Sequence, residues 1–337
     1  MTGRRLHAAA IGGVVAALAL PAAAQADPGP YVALGDSYTA AAGVPDVVGE
    51  PSWCLRSDHD YPSIVAAATG AAQFRDRSCS GATTEHMTAP ENVVPVRVNP
   101  PQFDALGPHT TLVTIGIGGN DVRLVEAAFT CVPLGLLAPI GSACRDTFAN
   151  PGGDRIVDQI ARAAPKIAAT LRGIRALAPQ ARVLVVGYPP VLPPGGWGCY
   201  PLVPLSSDDL VYLDEMLRRT NAMLAEQAAA NDAEYVDTYD GNLGHDACTG
   251  PRTRWFEGVV PTSPALPIHP NARGEASMAR SVLRVLAQPR PSRRPRPRTK
   301  ALRAAEERLQ PGLRLRQQGR GPAIGAARQR RRLHHGP

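Results

Sequence analysis

Three short apolar runs, each ending in glycine, constrain the fold of this chain more than any other feature of its sequence. They are Tyr31 to Gly35, Leu112 to Gly116 and Arg182 to Gly187, and weaker candidates occur at Gln73 to Ser78 and Glu234 to Asp237. Because these runs are apolar on both faces, they are typical of a parallel sheet that helices cover on both sides.

Helical patterns lie between the runs. Apolar residues recur at steps of three and four from Ile156 to Ala178, with Asp154 as the N-cap and with Pro165 expected to kink or split the helix. Further helices are predicted over Ser63 to Thr69, from Ser206 or Ser207 to Ala228, and just after His269-Pro270. Alternating strands and helices predict a three-layer α/β domain with right-handed crossovers.

The first 26 residues have the features of an export signal. Arg4 and Arg5 precede an apolar run from Ala8 to Leu20, and Ala24-Gln25-Ala26 forms a small-x-small cleavage pattern. The run is too short to span a membrane, which needs about 20 residues. The sequence therefore predicts a signal peptide over residues 1–26, a mature domain over residues 27–287 and a secreted, extracellular protein.

Positive charge is concentrated at the other end of the chain. Residues 288–337 carry 14 Arg and one Lys against two Glu, a formal charge of +13, whereas residues 27–287 carry −8. We predict that this tail is disordered, because it cannot bury enough apolar surface to offset its ordering entropy. The tail either attaches to an anionic surface or is an extension without a function. It has no aromatic residue between its arginines, which disfavours nucleic acid as a partner.

The cysteines favour disulfides over a metal site. None of the six has CxxC spacing, and an even set in an exported chain predicts three disulfides, for which sequence alone allows about 15 pairings. Residues 189–204 and 238–268 lack periodicity, and loops of this length are usually functional or stapled. Each contains one cysteine, so a bridge between Cys199 and Cys248 would hold the two loops together.

Polar residues follow the first predicted strand. Gly35-Asp36-Ser37-Tyr38 comes directly after it, and ligands bind at the carboxyl ends of strands in α/β sheets. Ser37 is therefore either an exposed nucleophile or the cap of a following helix, with Asp36 suited to a turn. The tetrapeptide differs from the Gly-x-Ser-x-Gly elbow of the α/β-hydrolases.

Two glycine-containing turns follow other predicted strands. In Gly116-Ile117-Gly118-Gly119-Asn120-Asp121 the glycines allow a ligand to approach the backbone, and Asn120 supplies an amide donor. In Cys79-Ser80-Gly81 the N–H of Gly81 could point into the same crevice. A dinucleotide site would require G-x-G-x-x-G after the first strand, which here ends in Gly-Asp-Ser, so we exclude nucleotide binding.

His269 is the strongest candidate for a general base. It begins His269-Pro270-Asn271, immediately before the last predicted helix. The other histidines lie in the signal, in the tail or in polar surroundings without a supporting pattern. The exception is His245 in Gly244-His245-Asp246, which is the alternative base.

Together these segments resemble the four sequence blocks of the SGNH (GDSL) hydrolase family. The matching residues occur in the family's order, over about Tyr31 to Leu286; they are Gly35-Asp36-Ser37-Tyr38, Gly81, Gly118-x-Asn120-Asp121 and His269-Pro270-Asn271. With six cysteines and Gly244-His245-Asp246, the chain is most similar to the secreted bacterial lipase/esterase branch of that family.

The resemblance implies a fold, a chemistry and residue roles. The fold would be a flavodoxin-like α/β/α sandwich with the disulfides Cys54–Cys79, Cys131–Cys144 and Cys199–Cys248. Ser37 would be the nucleophile and His269 its general base. The oxyanion hole would consist of the Ser37 and Gly81 N–H groups and the Asn120 amide. Such a site hydrolyses carboxylic esters through an acyl-enzyme and needs no metal or cofactor.

One position departs from the family pattern. An aspartate often stands three residues before the histidine, where this chain has Leu266. A backbone carbonyl can accept the Nδ1–H bond of an imidazole and select the same tautomer. We therefore predict a Ser–His dyad whose histidine is oriented by the main-chain carbonyl of Leu266, with the Asp246 or Glu257 side chain as the alternative.

The sequence leaves the ester open. Val132 to Ile140 and Val191 to Leu205 either line an acyl groove or pack as ordinary loops. A lipase, a phospholipase and a short-chain or carbohydrate-ester esterase all fit, acting as a monomer on a small-molecule or lipid ester with transient contact to lipid surfaces. One rival interpretation is a non-catalytic binding domain, which is supported by the absence of an aspartate at position 266. A metal-dependent hydrolase is another, and only His245-Asp246 hints at its ligands.

Overall fold

A sheet of five parallel strands forms the centre of the computed structural model, which describes residues 29–94, 97–196 and 198–290. The strands are β1 (Tyr31–Gly35), β2 (Phe74–Asp76), β3 (Leu112–Gly116), β4 (Arg182–Val186) and β5 (Glu234–Val236). They pair in the order β2-β1-β3-β4-β5. This 2-1-3-4-5 order is that of flavodoxin-like sheets, and it confirms the predicted fold class.

The three clearest apolar runs form the middle of the sheet. β1 pairs with β3 over its whole length, from Tyr31 opposite Leu112 to Gly35 opposite Gly116. The two weaker runs form the edge strands β2 and β5, which are only three residues long and partly exposed. Edge strands need fewer apolar side chains, because they have a neighbour on one side only.

Helices cover both faces of the sheet. Helices α1 (Tyr61–Thr69) and α7 (Ala272–Leu286) pack on one face, where Val65, Met278 and Val282 meet the side chains of Tyr31 and Val186. The long helices α5 (Arg155–Leu177) and α6 (Ser207–Ala230) pack on the other face. Alternate side chains of each strand point to opposite faces, so both apolar faces of every central strand are buried.

Side-chain caps begin these helices where the sequence predicts. The Asp154 carboxylate accepts the N–H groups of Ile156 and Val157 at the start of α5, and Ser206 accepts from Asp209 at the start of α6. Of the two expectations for Pro165, a kink or a split, the split is wrong, since α5 continues through this residue. Proline removes one N–H donor, and the buried residues on both sides of it keep the helix packed on the core.

Several shorter elements were not expected from the sequence. Helices α2 (Gly119–Val122), α3 (Leu124–Leu137) and α4 (Ala143–Phe148) lie between β3 and α5. Two small hairpins are also present, one formed by Glu91–Val94 with Arg97–Asn99 and one by Ala149–Asn150 with Gly153–Asp154.

Three disulfides staple the connections between these elements. They pair Cys54 with Cys79, Cys131 with Cys144, and Cys199 with Cys248, which is the pairing that the family resemblance implies. Cys131–Cys144 links α3 to α4. Cys199–Cys248 joins the two long loops that follow β4 and β5.

The two ends of the chain lie largely outside the described residues. The predicted signal peptide does so entirely, and of the predicted tail only residues 288–290 are described. The chain divides into two units, of which the first ends at Arg290. Over the described ranges, no helix combines the length and apolar character needed to cross a bilayer.

We predict that Gln102 stabilises the end of β1. Its fully buried amide accepts the Gly35 N–H (2.8 Å) and donates to the Gly35 carbonyl (2.9 Å). Gln102→Leu removes both bonds and leaves the buried Gly35 N–H without its acceptor, while the Gly35 carbonyl keeps the Cys79 N–H, so the free energy of unfolding in urea should fall by about 1–3 kcal/mol. The exposed Gln180→Leu variant should change it by less than about 0.5 kcal/mol. Equal effects of the two substitutions would contradict this role.

Candidate active site

Ser37 lies in a tight turn at the carboxyl end of β1. The Asp36 carbonyl accepts the N–H groups of Thr39 and Ala40, and the Asp36 carboxylate accepts the N–H of Tyr38 (3.0 Å). Gly35 enters the turn with φ +152°, and a β-carbon there would overlap the Thr39 side chain. The chain therefore turns sharply after the strand, and Ser37 lines an open cleft at this edge of the sheet.

The three predicted oxyanion donors belong to turns at neighbouring strand ends. Cys79 donates its N–H to the Gly35 carbonyl (3.0 Å), which brings the turn containing Gly81 alongside the end of β1. Asn120, at the end of β3, donates one amide hydrogen to the Ala82 carbonyl (2.9 Å) and lines the same cleft as Ser37. Among the described residues, neither the Ser37 nor the Gly81 N–H donates to a protein acceptor.

His269 reaches Ser37 from the loop that precedes α7. Its Nε2 lies 2.7 Å from the Ser37 Oγ, and its Nδ1 lies 2.7 Å from a backbone carbonyl. A carbonyl can only accept, so Nδ1 carries the proton and Nε2 is left as an acceptor for the serine hydroxyl. The two residues are 232 positions apart in the chain.

The carbonyl that orients His269 belongs to Pro267, and the prediction of Leu266 is wrong by one residue. Two backbone features explain the difference. The Leu266 N–H is bound to the Ala42 carbonyl (2.8 Å), and Ile268 adopts φ +63°. This left-handed residue turns the chain so that the imidazole folds back over the Pro267 carbonyl.

The carboxylates considered as alternatives for orienting His269 form hydrogen bonds with other groups. Glu257 accepts from the Asn271 amide (2.7 Å) and from the Thr262 N–H (2.7 Å). Burial acts to raise the pKa of Glu257, but these hydrogen bonds lower it below its usual value. The Asp246 carboxylate accepts the Cys248 N–H (2.9 Å). In the described part of the chain, no carboxylate forms a hydrogen bond with His269.

His245, the alternative base, belongs to a different cluster. Its ring stacks on Trp255 with centroids 3.4 Å apart, and its Nδ1 lies 2.7 Å from the Thr253 carbonyl. Within residues 29–94, 97–196 and 198–290, no group of three or more His, Cys, Asp or Glu side chains is arranged to hold a metal ion.

Burial sets the electrostatics of the site. It lowers the pKa of His269 to about 4, and the bond to the Pro267 carbonyl opposes this shift only in part. Burial raises the pKa of Asp36 to about 7, against hydrogen bonds from Tyr188 and Tyr38. In a low-dielectric environment the charged form of each group is disfavoured, so the imidazole is neutral at the pH at which a base is needed.

The cleft beside Ser37 is mostly apolar. It has a volume of about 640 Å³, part of which is open to solvent, and is lined by side chains of α3, α6 and the loop after β4. The lining apolar residues are Leu124, Val125, Ala128, Val191, Leu192, Leu213, Leu217 and Ile268. Of the two predicted groove segments, only Val191 to Leu205 contributes. Residues 132–140 do not line the cleft, because they form the far end of α3 and the loop after it.

The contacts that two tyrosines make at the site were not predicted from the sequence. Tyr38 donates its hydroxyl to the Ile268 carbonyl (2.5 Å), and its ring lies 4.7 Å from that of His269. Tyr188 follows β4 and hydrogen-bonds to Asp36 (2.5 Å). Its place directly after a predicted strand, like that of Ser37, is the signal that could have identified it.

Comparison with known proteins places the chain in a family. Residues 33–276 match the model of the GDSL-like lipase/acylhydrolase family. The chain is 39% identical over 278 residues to lipase 2 of Streptomyces coelicolor, covering 81% of this chain and 92% of that protein. The extracellular lipase of Streptomyces rimosus superposes with a TM-score of 0.63 at 28% identity, over 76% of this chain and 98% of that one. Phospholipase A1 of Streptomyces albidoflavus superposes with a TM-score of 0.62 at 26% identity, over 77% of this chain and 100% of that one.

The chain belongs to the GDSL-like lipase/acylhydrolase family. It is accordingly an ester hydrolase, as the resemblance of its sequence blocks implied.

We predict that the His269 imidazole titrates well below the usual range. Because burial disfavours the imidazolium, its Cε1–H resonance in NMR spectra should shift with a midpoint near pH 4 and be constant from about pH 6 upward. The resonance is assigned by its absence from the His269→Asn variant. A midpoint near 6.5 would show that the imidazole is solvated and contradict the buried geometry.

Proposed function

We propose that the protein is a secreted carboxylic ester hydrolase in which Ser37 is the nucleophile and His269 the general base. The observation that carries the proposal is the 2.7 Å contact between His269 Nε2 and Ser37 Oγ, with Nδ1 bound to the Pro267 carbonyl. A serine hydroxyl is a weak nucleophile until a neighbouring base accepts its proton, and this arrangement provides that base.

In the first half of the reaction, Ser37 Oγ attacks the ester carbonyl carbon as its proton passes to His269 Nε2. The tetrahedral intermediate then expels the alcohol, which takes the proton from the imidazolium. In the second half, His269 accepts a proton from water, the resulting hydroxide attacks the acyl-enzyme, and the carboxylic acid leaves as Ser37 is protonated again.

The oxyanion would be held by the Ser37 and Gly81 N–H groups and by the Asn120 amide. Two features support this assignment: the two N–H groups have no protein acceptor among the described residues, and Asn120 is held next to the Gly81 turn through the Ala82 carbonyl. Loss of one oxyanion donor typically raises the barrier by about 3–4 kcal/mol.

We further propose that the substrate is an ester with an apolar acyl chain. The apolar cleft next to Ser37 favours a lipid or medium-chain acyl group over acetyl esters of carbohydrates. The names of the relatives, which include lipases and a phospholipase A1, support the same class. A phospholipid is therefore the second candidate substrate.

Export and assembly complete the proposal. Residues 1–26 would be removed as a signal peptide, and three disulfides suit an oxidising compartment. Residues 288–337 would form a basic tail outside the catalytic domain. All candidate site residues come from one chain, so a monomer would be sufficient. Leu137 and Ile140, which are 86% and 89% exposed, could contact lipid surfaces transiently.

The central test replaces the nucleophile. Ser37→Ala should lower kcat/KM for p-nitrophenyl esters by about 10⁴-fold or more and abolish labelling by a fluorophosphonate, because no other group can form the acyl-enzyme. Ser142→Ala, at the start of α4, should behave like the wild type in both assays, and EDTA should leave activity unchanged. Persistent labelling or hydrolysis by Ser37→Ala would refute the assignment, and loss of activity in EDTA would favour the metal-dependent rival.

A second test addresses the acyl chain. Ala128→Phe places a ring in the cleft and should lower kcat/KM for p-nitrophenyl octanoate by about tenfold, since a few methylene groups lose their contacts. Hydrolysis of p-nitrophenyl acetate should change by less than about threefold. Thr130→Phe, an exposed position on the opposite side of α3, serves as the control. Equal losses for both esters would mean that the acyl chain does not occupy this cleft.

A further inference from the structure

The Tyr188 hydroxyl connects two parts of the candidate site that are far apart in sequence. It donates to Asp36 Oδ2 (2.5 Å) and accepts the N–H of Gly119 (2.7 Å). Asp36 directly precedes Ser37, and Gly119 directly precedes Asn120. One buried hydroxyl therefore joins the turn of the candidate nucleophile to the loop of the candidate amide donor.

Tyr188 is itself held in place by α6. The Asn221 side chain accepts the Tyr188 N–H (2.8 Å) and donates to the Tyr188 carbonyl (2.7 Å). Both residues are buried. A reciprocal pair of this kind satisfies the backbone N–H and carbonyl of Tyr188 and fixes its main chain against α6.

The ring of Tyr188 also packs tightly against the site. A β-carbon at Gly119 would lie 3.0 Å from the Tyr188 Cζ, so the ring is in direct contact with that loop. On another side the ring meets Tyr38 edge to face, with centroids 5.2 Å apart. Tyr38 in turn contacts His269. Movement of the Tyr188 ring would thus disturb three of the four segments that carry candidate catalytic groups, namely those of Ser37, Asn120 and His269.

We propose that Tyr188 is a positioning residue that fixes the distance between the Ser37 turn and the Asn120 amide, as the tetrahedral intermediate requires. This inference rests on the proposed function. Oxyanion donors act on the transition state much more than on the bound ester, so the distance between the nucleophile and its donors affects kcat before KM. Tyr188 does not touch the reacting atoms in this view, since it acts through Asp36 and Gly119.

The buried carboxylate of Asp36 depends on this hydroxyl. Burial raises the pKa of Asp36 to about 7, and the hydrogen bond from Tyr188 is the largest contribution in the opposite direction. Above that pH the carboxylate is ionised and accepts from both the Tyr188 hydroxyl and the Tyr38 N–H. Measurements at pH 8 therefore probe the network with both bonds formed.

The test is Tyr188→Phe, which removes the hydroxyl and keeps the ring. For a p-nitrophenyl ester at pH 8 we expect kcat to fall by about 10- to 100-fold and KM to change by less than about threefold. The rate of fluorophosphonate labelling should fall in parallel. Tyr212→Phe is the matched control, because the Tyr212 hydroxyl also binds a carboxylate, that of Asp154 (2.9 Å), at a position that does not line the cleft. It should keep the wild-type kcat.

A double-mutant cycle with Asp36→Asn separates positioning from general loss of stability. If both residues act through one hydrogen bond, the double variant should have nearly the kcat of the more impaired single variant, whereas independent effects would multiply. Wild-type kcat in Tyr188→Phe, or multiplicative losses in the cycle, would overturn the inference. Either result would leave the proposed function intact if Ser37→Ala is inactive. Retained activity in Ser37→Ala would defeat the proposed function whatever Tyr188→Phe does.

Discussion

The parallel pairing of β1 with β3 is the constraint on which the site depends. Gly35 and Gly116 are partners at the last position of this pairing, so the turn holding Ser37 and the loop holding Asn120 leave the sheet side by side. In a 2-1-3-4-5 sheet this is also the point where the strand order reverses and a crevice opens. An antiparallel pairing would send one of the two segments to the opposite edge, and a shifted parallel register would separate the two strand ends. The loop before α7 places His269 in the crevice that the ends of these strands form.

Burial determines how the polar groups at this crevice behave. Asp36 and His269 are both buried, and burial raises the pKa of the carboxyl to about 7 and lowers that of the imidazole to about 4. Buried polar groups are tolerated when they are hydrogen-bonded, and the site is accordingly connected. Asp36 binds the backbone of Tyr38 and the hydroxyl of Tyr188, and His269 binds a backbone carbonyl. The hydrogen bonds that offset desolvation are thus the same ones that orient the reacting groups.

Sequence patterns predicted the sheet and the candidate residues because both depend on local signals. Ser37 lies two residues after β1, Asn120 lies four residues after β3 within the Gly-rich segment, and His269 precedes a helix. Other features depend on backbone geometry that the residue types do not reveal. The choice of the Pro267 carbonyl over that of Leu266 follows from Ile268 at φ +63°, a conformation that a β-branched residue rarely adopts. Helix α3 was not predicted because Pro133 and Gly135 interrupt its pattern, and the side of the cleft that α3 forms was therefore missed. The bond from Tyr188 to Asp36 spans 152 positions and has no local signature.

A carbonyl in place of the usual carboxylate changes what the proposed base must do. A carboxylate would stabilise the imidazolium by its full charge, whereas the Pro267 carbonyl offers only a dipole. The resting pKa of about 4 would make His269 a poor base if the imidazolium formed alone. In the proposed reaction it forms together with an oxyanion a few ångströms away, and opposite charges attract more strongly at buried positions than in water. The donors that stabilise the oxyanion therefore also make proton transfer to His269 more favourable. In the proposed reaction the oxyanion hole would compensate for the missing carboxylate, so the relative placement of Ser37, Gly81 and Asn120 would matter more than it does in a Ser-His-Asp triad.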